Sequence, residues 1–126
     1  MWDPLRRKEV AETPEERVRQ WFIGVLSGSG FPMGLMGSEV PLSYGGKSLR
    51  ADIVVYDRAG APLAIVECKR PEVEITADVA RQALLYHGAL PVRFIFLTNG
   101  NNTYIYRRGD SGFEALDRFP TYEEML

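Results

Sequence analysis

Three charged residues stand where buried strands should carry none. Asp52 lies near the start of the run Arg50-Ala-Asp-Ile-Val-Val-Tyr-Asp57, and Glu67 and Lys69 close the run Leu63-Ala-Ile-Val-Glu-Cys-Lys69. Both runs are apolar and rich in β-branched residues, the pattern of core strands. Side chains alternate faces along a strand, so Glu67 and Lys69 project to one side while Cys68 between them points away, into the core. If the runs pair as a hairpin through Arg58-Ala-Gly-Ala-Pro62, Asp52 comes to lie beside that pair. Two carboxylates and an ammonium at a sheet edge form a hard-cation site with a charge stabiliser next to it. That is the equipment of metal-assisted phosphodiester hydrolysis. The competing account is a structural ion pair of Glu67 with Lys69 or Arg50, or plain solvation at a strand end. Spacing alone does not separate the two, since a loose Asp…Glu-x-Lys pattern arises by chance in roughly a third of chains this long.

The surrounding sequence predicts the elements that must hold these residues. Thr13-Pro-Glu-Glu16 is a helix start, with Thr13 as cap, Pro14 at the first helical position and Glu16 closing a capping box. Val18, Trp21, Phe22, Val25 and Leu26 continue at helical spacing until Ser27-Gly-Ser-Gly30 ends the run. Phe31 to Gly37 reads as loop, and Glu39-Val-Pro-Leu-Ser43 as a short edge strand, because Pro41 cannot donate to a ladder. After Arg70-Pro71, Thr76 or Asp78 caps a second helix through Val79, Ala83, Leu84 and Tyr86 to about Gly88. Pro91-Val-Arg-Phe-Ile-Phe-Leu-Thr98 is nearly all apolar and is expected to be covered on both faces. Asn99-Gly-Asn-Asn102 turns it into Thr103-Tyr-Ile-Tyr-Arg107. The tail from Phe119 holds at most a last helical turn. This order predicts an α/β sandwich on a mixed sheet.

Composition sets the wider frame. The chain has 126 residues, 45% hydrophobic and 25% charged, with a formal net charge of -2, as expected for a single globular domain over residues 1–126. A mildly acidic balance argues against indiscriminate nucleic-acid binding, although Arg50, Lys69, Arg70, Arg81, Arg107 and Arg108 can make a local basic face. A single cysteine rules out an internal disulfide. No apolar run approaches membrane-spanning length, and no signal-peptide core follows the N-terminus, so the expectation is a cytoplasmic protein without a membrane partner.

Several stretches together resemble one family. Pro14-Glu-Glu-Arg-Val-Arg-Gln20, the Asp52 strand, Ile65-Val-Glu-Cys-Lys-Arg-Pro71, Gln82-Ala-Leu-Leu-Tyr86 and Leu97-Thr-Asn-Gly100 follow one another in order. The whole is similar to the N-terminal nuclease domain of type I restriction enzyme restriction subunits, within the PD-(D/E)XK nuclease superfamily, over roughly residues 14 to 107. The resemblance implies a restriction-endonuclease-like α-β-β-β-α-β core whose mixed central sheet is flanked by helices. It also implies dependence on magnesium, with manganese acceptable, and DNA as substrate. Carried onto this chain, Asp52 and Glu67 are the metal-binding carboxylates, and the Cys68 carbonyl adds a further oxygen. Lys69 orients or activates the attacking water, or stabilises charge on the phosphorus. Glu16 matches an acidic residue of the first helix that holds metal-bound water, a role that competes with its place in the capping box; Glu15 can substitute. Gln82 and Tyr86 match a Gln-x-x-x-Tyr pattern and share a helix face, which places them at the substrate, with Arg50 and Arg70 as further contacts.

Other residues read as structural. His87, the only histidine, is expected to interact with the helix dipole, and Trp21, Phe22, Phe94 and Phe96 are core candidates. The sequence has no Gly-x-x-x-x-Gly-Lys-Ser/Thr loop, so the expectation is a free-standing homologue or an excised domain, with translocase or recognition subunits as possible partners. A homodimer fits double-strand cleavage by so small a unit. Two alternatives stay open: a catalytically silent module that binds DNA or protein, and a nuclease for RNA or branched DNA.

Overall fold

In the computed structural model, which describes all 126 residues, the first helix begins where its capping residues dictate. The Thr13 hydroxyl accepts the Glu16 backbone N–H, and α1 runs Pro14–Gly28. Its buried face is Val18, Arg19, Phe22, Ile23 and Leu26. Trp21, expected in the core, is 48% exposed: the buried stripe is rotated toward Ile23 and carries Arg19 in Trp21's place.

The sheet is built from β3 (Met36–Tyr44), β4 (Lys47–Tyr56), β5 (Pro62–Cys68), β6 (Phe94–Thr98), β7 (Thr103–Gly109) and β8 (Gly112–Leu116), in that spatial order. All neighbours are antiparallel except β5 and β6, which run parallel and are joined through α2 (Ala77–His87). A parallel pair needs such a crossover, and α2 supplies it. Strand β3 lies at the edge, as Pro41 requires. It begins earlier than expected, at Met36, after a short 3₁₀ turn at Met33–Leu35. The β4–β5 hairpin turns at positive-φ Gly60, with the Asp57 carboxylate accepting the amides of Ala59 and Ala61. Strand β6 is buried throughout, as its unbroken apolar run predicts.

Alternation sorts the strand residues into two cores. Ile53, Val55, Ala64, Val66, Cys68 and Phe96 face α1, and Tyr122 and Met125 of the terminal helical turn α3 (Tyr122–Met125) join them. Val54, Ile65 and Ile95 face the other way, under the stretch that follows α2, where Leu90 and Val92 cover them; Ala51 packs into this second core too, although simple alternation would put it with Ile53. Arg108 fastens that stretch by donating to the carbonyls of Gly88, Leu90 and Val92, with its guanidinium over the Phe113 ring.

Two elements lie outside the expected order. Strand β8 pairs with β7 across a turn at Gly109 and Gly112. A two-strand hairpin, β1 (Trp2–Asp3) with β2 (Lys8–Glu9), precedes α1. It is fastened by charge: fully buried Asp3 meets Arg6 and buried Arg19, and Arg19 also donates to Glu16 and to the Ser38 hydroxyl. Removing one member of a buried ionic cluster strands the others, so Arg19→Met is expected to cost about 3 kcal/mol in denaturant unfolding. An unchanged midpoint would mean the hairpin contributes nothing to stability.

Candidate active site

Asp52 and Glu67 come together because their strands pair. The β4–β5 register matches Ile53 with Val66, which sets Asp52 opposite Glu67 at the point where the ladder stops. Beyond it the Asp52 carboxylate takes over from the backbone and accepts the Cys68 N–H at 2.7 Å. Both acidic side chains line the cleft that α2 walls, Glu67 with the parity of Ile65, and Asp52 also reaches the smaller groove on the α1 side. The Cys68 side chain is buried on the opposite face, as alternation predicts, and burial pushes its thiol well up, which leaves it a poor nucleophile.

An open cleft of about 620 Å³ lies over these residues. Its walls include Asp52, Glu67 and Lys69 from the sheet and Gln82 and Tyr86 from α2, with Arg50 and Glu15 at the rim. Gln82 and Tyr86 are one turn apart on α2, and Tyr86 is half exposed. Arg50 is exposed and pairs with Glu39 at 3.3 Å. Arg70 does not reach the cleft; it is exposed and its nearest acidic partner is Glu72 at 3.9 Å.

Glu16 does not close the capping box expected of it. Its backbone N–H is capped by Thr13, but its carboxylate is bound by Arg19 and Gln20, so the reciprocal half of the capping box is absent. These partners outweigh burial and hold its carboxyl below the ordinary value. It approaches Asp52 from the α1 side, through a separate groove of about 210 Å³ that Glu39 and Cys68 also line. Glu15, its neighbour, is the residue of α1 that faces the main cleft.

The two central carboxylates have opposite electrostatics. Burial pushes Asp52 up to about 6; the Cys68 amide works against this, while the charges of Glu39 and Glu67 add to it. Glu67 is half-buried too, but hydrogen bonds from His87 and Lys69 outweigh that desolvation and hold it at about 2. Lys69 Nζ lies 2.7 Å from Glu67 Oε2, and His87 Nε2 lies 2.6 Å from Oε1. Glu67 thus has its cation, whereas Asp52 forms no ion pair. Glu39 was not anticipated. It sits opposite Asp52 across the β3–β4 ladder in a left-handed backbone conformation, φ 52°, that non-glycine residues seldom adopt.

His87 requires a correction. It ends α2, as expected, but its ring is 2% exposed and bonded to Glu67, not turned toward the helix dipole at the surface.

The donor set suits a hard divalent ion. Asp52 and Glu67 offer carboxylate oxygens next to the main chain of Cys68, and an uncompensated, half-buried carboxylate is what a cation would relieve. No group of three acidic, histidine or cysteine side chains able to hold a metal ion is present, so these two carboxylates and a main-chain oxygen are the donors available.

A model of the family described as type I restriction enzyme R protein N terminus matches residues 14–120. The type I restriction enzyme EcoAI endonuclease subunit of Escherichia coli is 42% identical over 82 residues, which is 60% of this chain and 10% of that subunit. The chain thus spans about a tenth of that relative's length. Among solved structures, a fragment of a candidate HsdR subunit of a type I restriction enzyme from Vibrio vulnificus has a TM-score of 0.67 at 23% identity, over 93% of this chain and 25% of that one. A candidate nuclease belonging to DUF820 from Anabaena variabilis has a TM-score of 0.57 at 15% identity, over 94% of this chain and 78% of that one. A DrdV–DNA complex follows at 0.51 and 19% identity, covering 82% of this chain and 10% of that one. The fold is a mixed α/β sandwich of the restriction-endonuclease kind.

Proposed function

The chain belongs to the family of type I restriction enzyme R protein N termini, and from that membership we propose that its cleft is the active site of a divalent-metal-dependent DNA endonuclease. The observation that carries the proposal is the pairing of an uncompensated half-buried carboxylate, Asp52, with a compensated one, Glu67, in a cleft that also presents Lys69 and the amide of Gln82. A purely structural cluster gains nothing from leaving Asp52 without a cation. Asp52, Glu67 and the Cys68 carbonyl would hold magnesium or manganese, which supplies Lewis-acid polarisation of a phosphoryl oxygen and of the attacking water.

The chain's own residues do the rest. The Lys69 ammonium meets negative charge as it grows on the phosphorus. Gln82 and Tyr86, on the facing helix wall, hydrogen-bond to and stack against the nucleotide, and Arg50 at the rim attracts the backbone. DNA and other subunits of a restriction system are the partners this reading proposes.

The test is cleavage of supercoiled plasmid, single-stranded DNA, a branched duplex and RNA by the purified chain with magnesium or manganese. Nicking or linearisation of DNA that requires metal and vanishes in Asp52→Ala is expected. Metal-dependent cleavage that survives Asp52→Ala belongs to a contaminant and sinks the assignment. Metal and DNA binding without turnover would favour a catalytically silent module, and cutting confined to RNA or branched DNA would move the substrate class.

A further inference from the structure

Glu67 is held by two donors, one on each oxygen. Lys69 comes from its own strand, two residues on; His87 comes from the end of α2, twenty residues away, and reaches Glu67 only because the crossover returns α2 over the β5–β6 pair. The two donors differ in what they can do. Lys69 is a flexible, one-third exposed ammonium. The His87 ring is buried, packs edge-on against Tyr86 with centroids 5.0 Å apart, and ends a helix whose exit Arg108 fastens through the Gly88 and Leu90 carbonyls.

The tautomer follows from what surrounds the ring. Nδ1 is buried and has no hydrogen-bond partner, whereas Nε2 faces the Glu67 carboxylate. An orphaned acceptor costs less than an orphaned N–H, and a carboxylate oxygen demands a donor. The proton therefore sits on Nε2.

We propose that His87 is a positioning residue of the site: its Nε2–H fixes Glu67 Oε1, so that Oε2 is the oxygen offered to the divalent ion and Lys69 is the donor displaced. Lys69 then leaves a position it holds only while no metal is present and becomes free for the scissile phosphate. This division of labour rests on the nuclease reading. It explains why an immobile donor and a mobile one share a single carboxylate. Donors behind metal ligands commonly govern affinity by about ten- to a hundredfold.

Two measurements on the full chain test it. Because His87 is the only histidine, the ¹⁵N shifts of its imidazole can be read without assignment, in the metal-free protein. The Nε2–H pattern is expected, and the Nδ1–H pattern overturns the inference whether or not metal binds. The second measurement is Mn²⁺ binding by calorimetry to wild type, His87→Leu and His87→Gln, with folding followed by circular dichroism. Leucine is expected to weaken binding by about ten- to a hundredfold, and glutamine, which keeps a donor, to recover most of it. A folded His87→Leu protein that binds Mn²⁺ like wild type refutes the role, as does a His87→Gln protein no better than the leucine variant. Should leucine prevent folding, the glutamine variant decides, with wild-type affinity as the supporting result and a tenfold loss as the opposing one. A wild-type chain that binds no Mn²⁺ fails the nuclease reading and the metal-presenting role together, and the imidazole pattern then shows whether the Glu67 contact itself was read correctly.

Discussion

Asp52→Asn is expected to unfold at a higher temperature than the wild-type chain while losing all metal-dependent cleavage. The stability gain follows from the direction in which Asp52 is perturbed. Its carboxyl is pushed from the ordinary 3.8 up to about 6, so the folded chain binds a proton there more tightly than the unfolded chain does. That proton contributes stability fully below about pH 3.8, and the contribution is lost as pH rises through about 6. At pH 7.5 the folded state carries an ionised group that burial disfavours. A shift of about two units corresponds to about 3 kcal/mol as an upper bound. Asparagine keeps an oxygen for the Cys68 amide, though a weaker acceptor, so a net gain of about 1–2 kcal/mol, several degrees in Tm, is the reasonable expectation. The gap between the proteins should open between pH 4 and 6 and stay constant above, in guanidinium titrations without metal. Added magnesium should narrow it by stabilising only the wild type. A variant that melts at or below wild type at pH 7.5 would contradict this account of Asp52.

Lys69→Ala is expected to lower the single-turnover cleavage rate by about a hundred- to a thousandfold, the size seen when one donor to transition-state charge is removed. DNA affinity should change only a few-fold, because a single phosphate contact is a small part of the total. Stability should fall by less than about 1 kcal/mol, since Lys69 is partly exposed and His87 remains on the other oxygen of Glu67. Lys69→Arg separates charge from shape. Its wider fork can keep the ion pair with Glu67 without reproducing a point charge at the phosphate, so it should retain stability while recovering little of the rate. Equal rates for alanine and wild type would remove Lys69 from the chemistry and leave it as a structural partner of Glu67.

Much of this arrangement was legible in the chain, and the parts that were not share a physical cause. Strands β4, β5 and β6 announce themselves by apolar periodicity, and α1 and α2 by Thr13, Pro14 and Thr76 at their caps. Alternation alone placed Cys68 on the opposite face from Glu67, and pairing through the hairpin placed Asp52 next to Glu67. What the sequence hid depends on partners far along the chain. Trp21 lies on the same helical stripe as Val18 and Val25, but the buried face is turned toward Arg19, which Asp3 and Glu16 hold inside, and Trp21 stays outside it. Asp3 and the two-residue strands around it have no pattern of their own, and only the contact with Arg19 makes them structure. Strand β8 left a trace that was available, the Gly109-Asp-Ser-Gly112 turn. The role of His87 had none, because its twenty-residue separation from Glu67 closes only once α2 crosses back over the sheet.

The contact between the Asp52 carboxylate and the Cys68 amide has a consequence for how the site can be observed. Most amides in a central strand are shielded by a carbonyl on the neighbouring strand, and their protons exchange with solvent only when the sheet opens. The Cys68 proton is shielded by a side chain instead. Whatever draws that carboxylate away, whether a proton or a cation, unlocks one amide in the middle of the molecule without loosening its neighbours. Deuterium uptake at this single position is therefore a built-in gauge of whether the site is filled.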